Sequence, residues 1–99
     1  MYTKYDMWKI FEHKSVIKKL NLLPVPILER YEKWKDIIEI SGPGGLKLIK
    51  GFNDEPLHGE WKGFRSSRLN KQYRVIYKIE NNVLLVNVRK VTLHDYKRK

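Results

Sequence analysis

The 99-residue sequence has no cysteine, so neither a disulfide framework nor a cysteine-based zinc site is open to it. Its three histidines, His13, His58 and His94, stand too far apart to make a local metal motif, and chemistry without metal or other cofactor is the expectation. No apolar run approaches the roughly 20 residues of a membrane span. The opening MYTKYDMWKIFEHK carries charges where a signal peptide needs an apolar centre, so a soluble cytoplasmic protein without membrane contact is expected. Acidic residues are scarce as well, 11 Asp and Glu against 21 Lys and Arg, a net charge of +10. Such a field draws polyanions and speeds their encounter, but it does not separate RNA, DNA, an acidic protein or anionic lipid. Internal repeats and low-complexity tracts are lacking too.

What is present is enough for one core and too little for two, a single domain over residues 1–99. Residues 8–12, WKIFE, alternate roughly as a short strand. Val16, Leu20 and Leu23 recur at helical spacing over 14–22. LPVP at 23–26 interrupts that helix and starts another, because proline is tolerated only in a first turn. From Ile27 onward, Ile27, Leu28, Tyr31, Trp34, Ile37 and Ile38 share one face, with Tyr31 and Trp34 read as core residues. SGPGG at 41–45 ends the second helix, and LKLIKGF at 46–52 fits either another helical turn or an extended connection. Beyond Glu60 the pattern turns to strands at 60–69, 73–80 and 83–91, with Asn81-Asn82 as a tight hairpin turn. The expectation is an α+β fold, an N-terminal strand and two helices packed on one face of an antiparallel sheet of about four strands.

Alternation in the later strands separates a greasy face from a cationic one. Tyr73, Val75, Tyr77 and Ile79 point one way, Arg74, Ile76 and Lys78 the other, and Leu84, Val86 and Val88 oppose Asn87 and Arg89. Between residues 58 and 78, six cations (Lys62, Arg65, Arg68, Lys71, Arg74 and Lys78) face one carboxylate, Glu60. Edge-strand protection against aggregation explains Lys62, Lys71 and Lys78 as well as function does. Arg74 is different, because a guanidinium amid apolar neighbours in an interior strand needs a carboxylate or a phosphate. Glu55 precedes the cationic strands, as a base or as Arg74's ion-pair partner, and HDY at 94–96 follows the last strand.

EPLHGEWKGFRSSRLNKQYRVIYKI, followed by a hydrophobic strand and RKVTLHDYKRK, resembles the RelE/ParE superfamily of bacterial type II toxins, nearest the mRNA interferase branch of RelE, YoeB, YafQ and HigB-like proteins. The resemblance covers Glu55 to Tyr96 and, by element order alone, the residues before. It implies a toxin that cuts mRNA in the ribosomal A site without metal, the ribose 2′-OH attacking its own 3′ phosphate. Carried over by position, Glu55 would be the base and Arg74 the phosphate-stabilising arginine. Arg68 would be a second cationic contact, His94 the general acid, and Tyr96 the ring that stacks on a base. Lys62, Arg65, Lys71, Arg89, Lys90, Lys97 and Arg98 would contact RNA or the ribosome. Ser66 stands where RelE itself has a lysine. The implied partners are a cognate antitoxin, the ribosome and mRNA, with operator DNA reached only through the antitoxin. Two other readings are a ParE-like gyrase inhibitor without catalysis and a non-catalytic basic RNA-binding module.

Overall fold

The computed structural model describes residues 7–93. Strand β1 (Lys9–Glu12) leads into helices α1 (Lys14–Leu20) and α2 (Val25–Ser41), followed by strands β2 (Glu55–Pro56), β3 (Arg65–Arg68), β4 (Tyr73–Glu80) and β5 (Leu85–Leu93). Helix α2 opens with Pro24 as cap and Pro26 in its first turn, where the missing amide costs no hydrogen bond. It ends on Gly42, whose amide donates to the Ile38 carbonyl at 2.7 Å with φ +76°. A Cβ at Gly42 would lie 2.7 Å from Trp8 Nε1, so both conformation and space require glycine there. LKLIKGF resolves into 3₁₀ turns, Pro43–Leu48 and Lys50–Phe52, which seat Leu46 and Phe52 in the core at 0% exposure.

The sheet differs from the expected one in two respects. Among the described residues it has five strands in the order β1-β5-β4-β3-β2, and β1 runs parallel to β5, pairing Lys9 with Leu85 and Glu12 with Val88. The crossover through α1, α2 and the later strands permits this parallel pair, which a hairpin could not make. The additional strand is β2, two residues whose Glu55 and Pro56 pair with Ser66 and Arg65 of β3. The expected strand over 60–69 shrinks to β3, because Gly59 (φ +68°) and Gly63 (φ +94°) turn the chain and Trp61 sits in a 3₁₀ turn. Asn81-Asn82 likewise opens a 3₁₀ turn, Asn81–Val83, and Leu84 takes a left-handed conformation (φ +50°) with its side chain 8% exposed.

The core lies between the helices and one face of the sheet. Ile27, Tyr31, Trp34 and Ile38 of α2 meet Val75 and Tyr77 of β4 and Val86, Val88 and Val91 of β5. Trp34 stacks on Tyr31 at 5.8 Å and meets Tyr77 edge-on at 5.2 Å, contacts worth about 0.5–1.5 kcal/mol each beyond their area. Glu12 ties β1 to α2, accepting from the Tyr31 hydroxyl at 2.6 Å and from Lys35 Nζ at 3.2 Å. Tyr31 and Trp34, at 0% exposure, are core residues as the helical pattern predicts.

Candidate active site

Strand register decides which side chains share the face away from the helices. Glu55 pairs with Ser66, Ser66 with Ile76 and Ile76 with Lys90, so these four form one row across β2, β3, β4 and β5. Arg68, Arg74 and Thr92 form the next row. Directly opposed residues of an antiparallel pair project to the same face, their Cβ atoms about 5 Å apart, and diagonal neighbours such as Glu55 and Arg68 lie about 7–8 Å apart. The fold therefore puts a carboxylate, two guanidiniums and an ammonium on one surface.

A bulge completes it. Ile76 pairs with Lys90 and Tyr77 with Val88, which leaves Arg89 as the extra residue of β5. Strict alternation would send Lys90 toward the helices and Val91 outward. The bulge reverses both: Lys90 is exposed on the open face while Val91 joins the core at 1% exposure. The sequence signal is a pair of adjacent cations followed by valine in an otherwise alternating strand.

Arg74 lies in a cavity of about 360 Å³ lined also by Glu60, Trp61, Ile76, Lys90 and Thr92. Its Nε is buried and has no hydrogen-bond partner among the described residues. Among the described residues Arg74 makes no ion pair, so Glu55 is not its partner. A buried, unpaired guanidinium nitrogen is costly unless a ligand satisfies it, and the planar fork of arginine matches a phosphate. Trp61 stands over the same cavity, with Lys90 Nζ 6.0 Å from its ring centre and Phe64 edge-on at 5.2 Å. These two aromatics come from the 57–64 segment, which folds over the sheet instead of extending it, although both fall in the expected strand over 60–69.

The remaining predicted residues divide. Arg68 shares its face with Arg74, but its side chain lines a neighbouring hollow of about 290 Å³ with Lys50, Asn53, Asn70 and Lys71. Glu55 is exposed on the edge strand, Lys62 is exposed beyond the 3₁₀ turn, and Arg89 is exposed on the bulge. Arg65 is placed differently from the expectation of an RNA contact. It is turned away from the open face and donates to Asp54 through Nε at 3.0 Å and Nη2 at 2.8 Å. The Asp54 side chain is 1% exposed and also accepts from Ser67 Oγ at 2.7 Å and Tyr77 Oη at 2.5 Å. Burial, and then the hydrogen bond and charge of Asp54, push the Tyr77 phenol far above its ordinary range. His94, Tyr96, Lys97 and Arg98 lie outside the described residues.

By comparison with solved structures, this α+β domain, with two helices on one face of the sheet and arginines at the centre of the other, has a RelE-family toxin fold. The solved structures bear this out. The RelE–RelB complex of Pyrococcus horikoshii contains a chain similar over 90% of this protein and 97% of its own length, with TM-score 0.72 and 26% identity. The DinJ–YafQ toxin–antitoxin complex of E. coli matches over 88% of this chain and 92% of that one, with TM-score 0.70 and 20% identity. The YoeB–YefM complex of Staphylococcus aureus covers 89% and 98%, with TM-score 0.67 and 15% identity. No family model and no curated protein matches the sequence.

Proposed function

We propose that the chain is the toxin of a type II toxin–antitoxin pair, a cytoplasmic endoribonuclease that cuts mRNA on the ribosome without a metal ion and so stops translation. The observation that carries this reading is Arg74, with a buried Nε that finds no partner among the described residues, in an open-face cavity beside Lys90, within a RelE-family toxin fold. In the proposed reaction the 2′-oxygen bonds to the adjacent phosphorus and the bond from phosphorus to the 5′-oxygen breaks. Glu55 takes the 2′-hydroxyl proton, Arg74 with Arg68 and Lys90 neutralises the charge gathering on the phosphorane, and His94 protonates the departing 5′-oxygen. Leu93 of β5 lines the Arg74 cavity, and His94 follows it in sequence. Tyr96 stacks on a base beside the cut, and Lys62, Lys71, Arg89, Lys97 and Arg98 contact RNA or ribosome.

The similar chains of known structure were solved in complexes with RelB, DinJ and YefM. A cognate antitoxin is the corresponding partner here, an acidic or amphipathic segment suited to the cationic face and the route to operator DNA. The reading is tested by toeprinting of message on ribosomes, with a gyrase supercoiling assay in parallel. New message 3′ ends that vanish with Arg74→Ala and an unaffected gyrase are expected, the variant slowed about 10²–10³-fold, as for loss of one transition-state donor. Intact message with inhibited supercoiling would replace the nuclease by a gyrase inhibitor.

A further inference from the structure

Beside the Arg74 cavity the open face holds a second groove that the proposed chemistry does not use. It measures about 240 Å³ and is lined by Phe11, His13, Phe64, Lys78, Asn87 and Arg89. Phe11, Asn87 and Lys78 form one row across β1, β5 and β4. Phe11 is 59% exposed although it is a large apolar ring on a strand, where burial or a partner is expected. Phe64 belongs to this groove and Trp61 to the Arg74 cavity, and the two rings touch edge to face at 5.2 Å, one aromatic wall shared by both sites. Cations surround the wall: Lys78 Nζ lies 5.9 Å from the Phe64 ring centre and Lys90 Nζ 6.0 Å from that of Trp61. Glu80 of the same face accepts from the Asn87 amide. His13 accepts at Nδ1 from the Ser15 amide at 3.1 Å.

One exposed and one half-buried apolar ring among cations suit a ligand that is flat, apolar on its faces and tied to negative charge. An acidic peptide would satisfy the cations but leave Phe11 without a flat partner. We propose that this groove takes an unstacked base of single-stranded RNA, Phe11 supplying the stacking surface and Phe64 the wall, while Lys78 and Arg89 hold the flanking phosphates. Lys78 stands four residues along β4 from Arg74, about 13 Å at the usual strand rise, so one strand of RNA reaches both sites. The inference rests on the reading of the Arg74 cavity as a phosphate site. It adds that the protein grips single-stranded RNA by base stacking even away from the ribosome.

The test is the binding of a labelled single-stranded RNA of about ten nucleotides, and of an abasic strand of the same length and charge, to the isolated protein. The base-bearing strand is expected to bind more tightly than the abasic one. Phe11→Ala should weaken the base-bearing strand about tenfold and leave the abasic strand unchanged, and Phe11→Trp should restore binding. Because Phe11 is exposed at the sheet edge, the alanine variant keeps its fold, which its melting curve verifies. Lack of RNA binding by the native protein, equal binding of both strands, or an alanine variant that binds like native protein would each overturn the proposal. So would a Phe11→Ala variant that loses only its grip on the antitoxin. Phe11-dependent RNA binding without ribosomal cleavage would sink the nuclease and spare the groove, whereas cleavage with Phe11-independent binding would do the reverse.

Discussion

Asp54→Ala is the substitution whose cost the structure specifies best. The carboxylate is 1% exposed and accepts four hydrogen bonds, two from Arg65, one from Ser67 and one from Tyr77. Removing it strands the Ser67 and Tyr77 hydroxyls, both on residues 0% exposed, and leaves Arg65, whose side chain is 23% exposed, without its counter-charge. Breaking a buried ion pair from one side costs about 3–5 kcal/mol. A domain of this size has roughly 5–15 kcal/mol in all and loses about 4–8 °C of melting temperature per kcal/mol. Asp54→Ala should therefore melt more than about 12 °C below the native protein or fail to fold. Asp54→Asn keeps the volume and one acceptor oxygen, gives up the charge opposite Arg65, and should lose about 1.5–3 kcal/mol. Urea unfolding followed by circular dichroism measures both, read as a shift of midpoint at constant slope. A loss below about 1 kcal/mol for Asp54→Ala would refute the view that Asp54 anchors the segment leading to Glu55 and pins Arg65 away from the open face of the sheet.

Other expectations run in different directions. Arg74→Met keeps the side-chain stem, removes a buried nitrogen that is unsatisfied among the described residues and relieves Arg68 directly opposite, so its melting temperature should rise by a few degrees while the proposed cleavage is lost; a fall of several degrees would mean Arg74 is a structural residue. Alkali should unfold the protein. Burial and then Glu12 raise the Tyr31 phenol, burial and then Asp54 raise that of Tyr77, and Lys35 is raised because Glu12 and Glu32 outweigh its desolvation. Groups raised in the folded state bind protons more tightly than in the unfolded chain, so their stabilisation is complete below the ordinary tyrosine value of 10.0 and declines as pH rises above it. Chemical-denaturation midpoints should hold steady up to about pH 9 and fall beyond pH 10, with Tyr77→Phe showing a shallower fall; a midpoint independent of pH between 9 and 11 would contradict this.

Much of the site was legible in local pattern. The strict alternation of YRVIYKIE places Arg74 and Lys78 on one face and Val75 and Tyr77 on the other, and the observed β4 has the expected bounds, Tyr73–Glu80. What local pattern missed was set by distant pairing. The parallel union of residues 9–12 with 85–88 carries no local mark, and a strand as short as β2 shows no period at all. Arg65 looked like its cationic neighbours because nothing near it in sequence reveals that Asp54, eleven residues earlier, folds back to hold it. The aromatic wall was misread for a related reason: Trp61 and Phe64 have strand-forming side chains, but two left-handed glycines, Gly59 and Gly63, turn that segment over the sheet.

The end groups of message cut on the ribosome test the proposed nuclease most directly. Attack by the 2′-oxygen leaves a 2′,3′-cyclic phosphate upstream of the cut and a 5′-hydroxyl downstream, in amounts that should fall about 10²–10³-fold with Arg74→Ala. Message that stays intact, or ends carrying a 3′-hydroxyl and a 5′-phosphate, would contradict it.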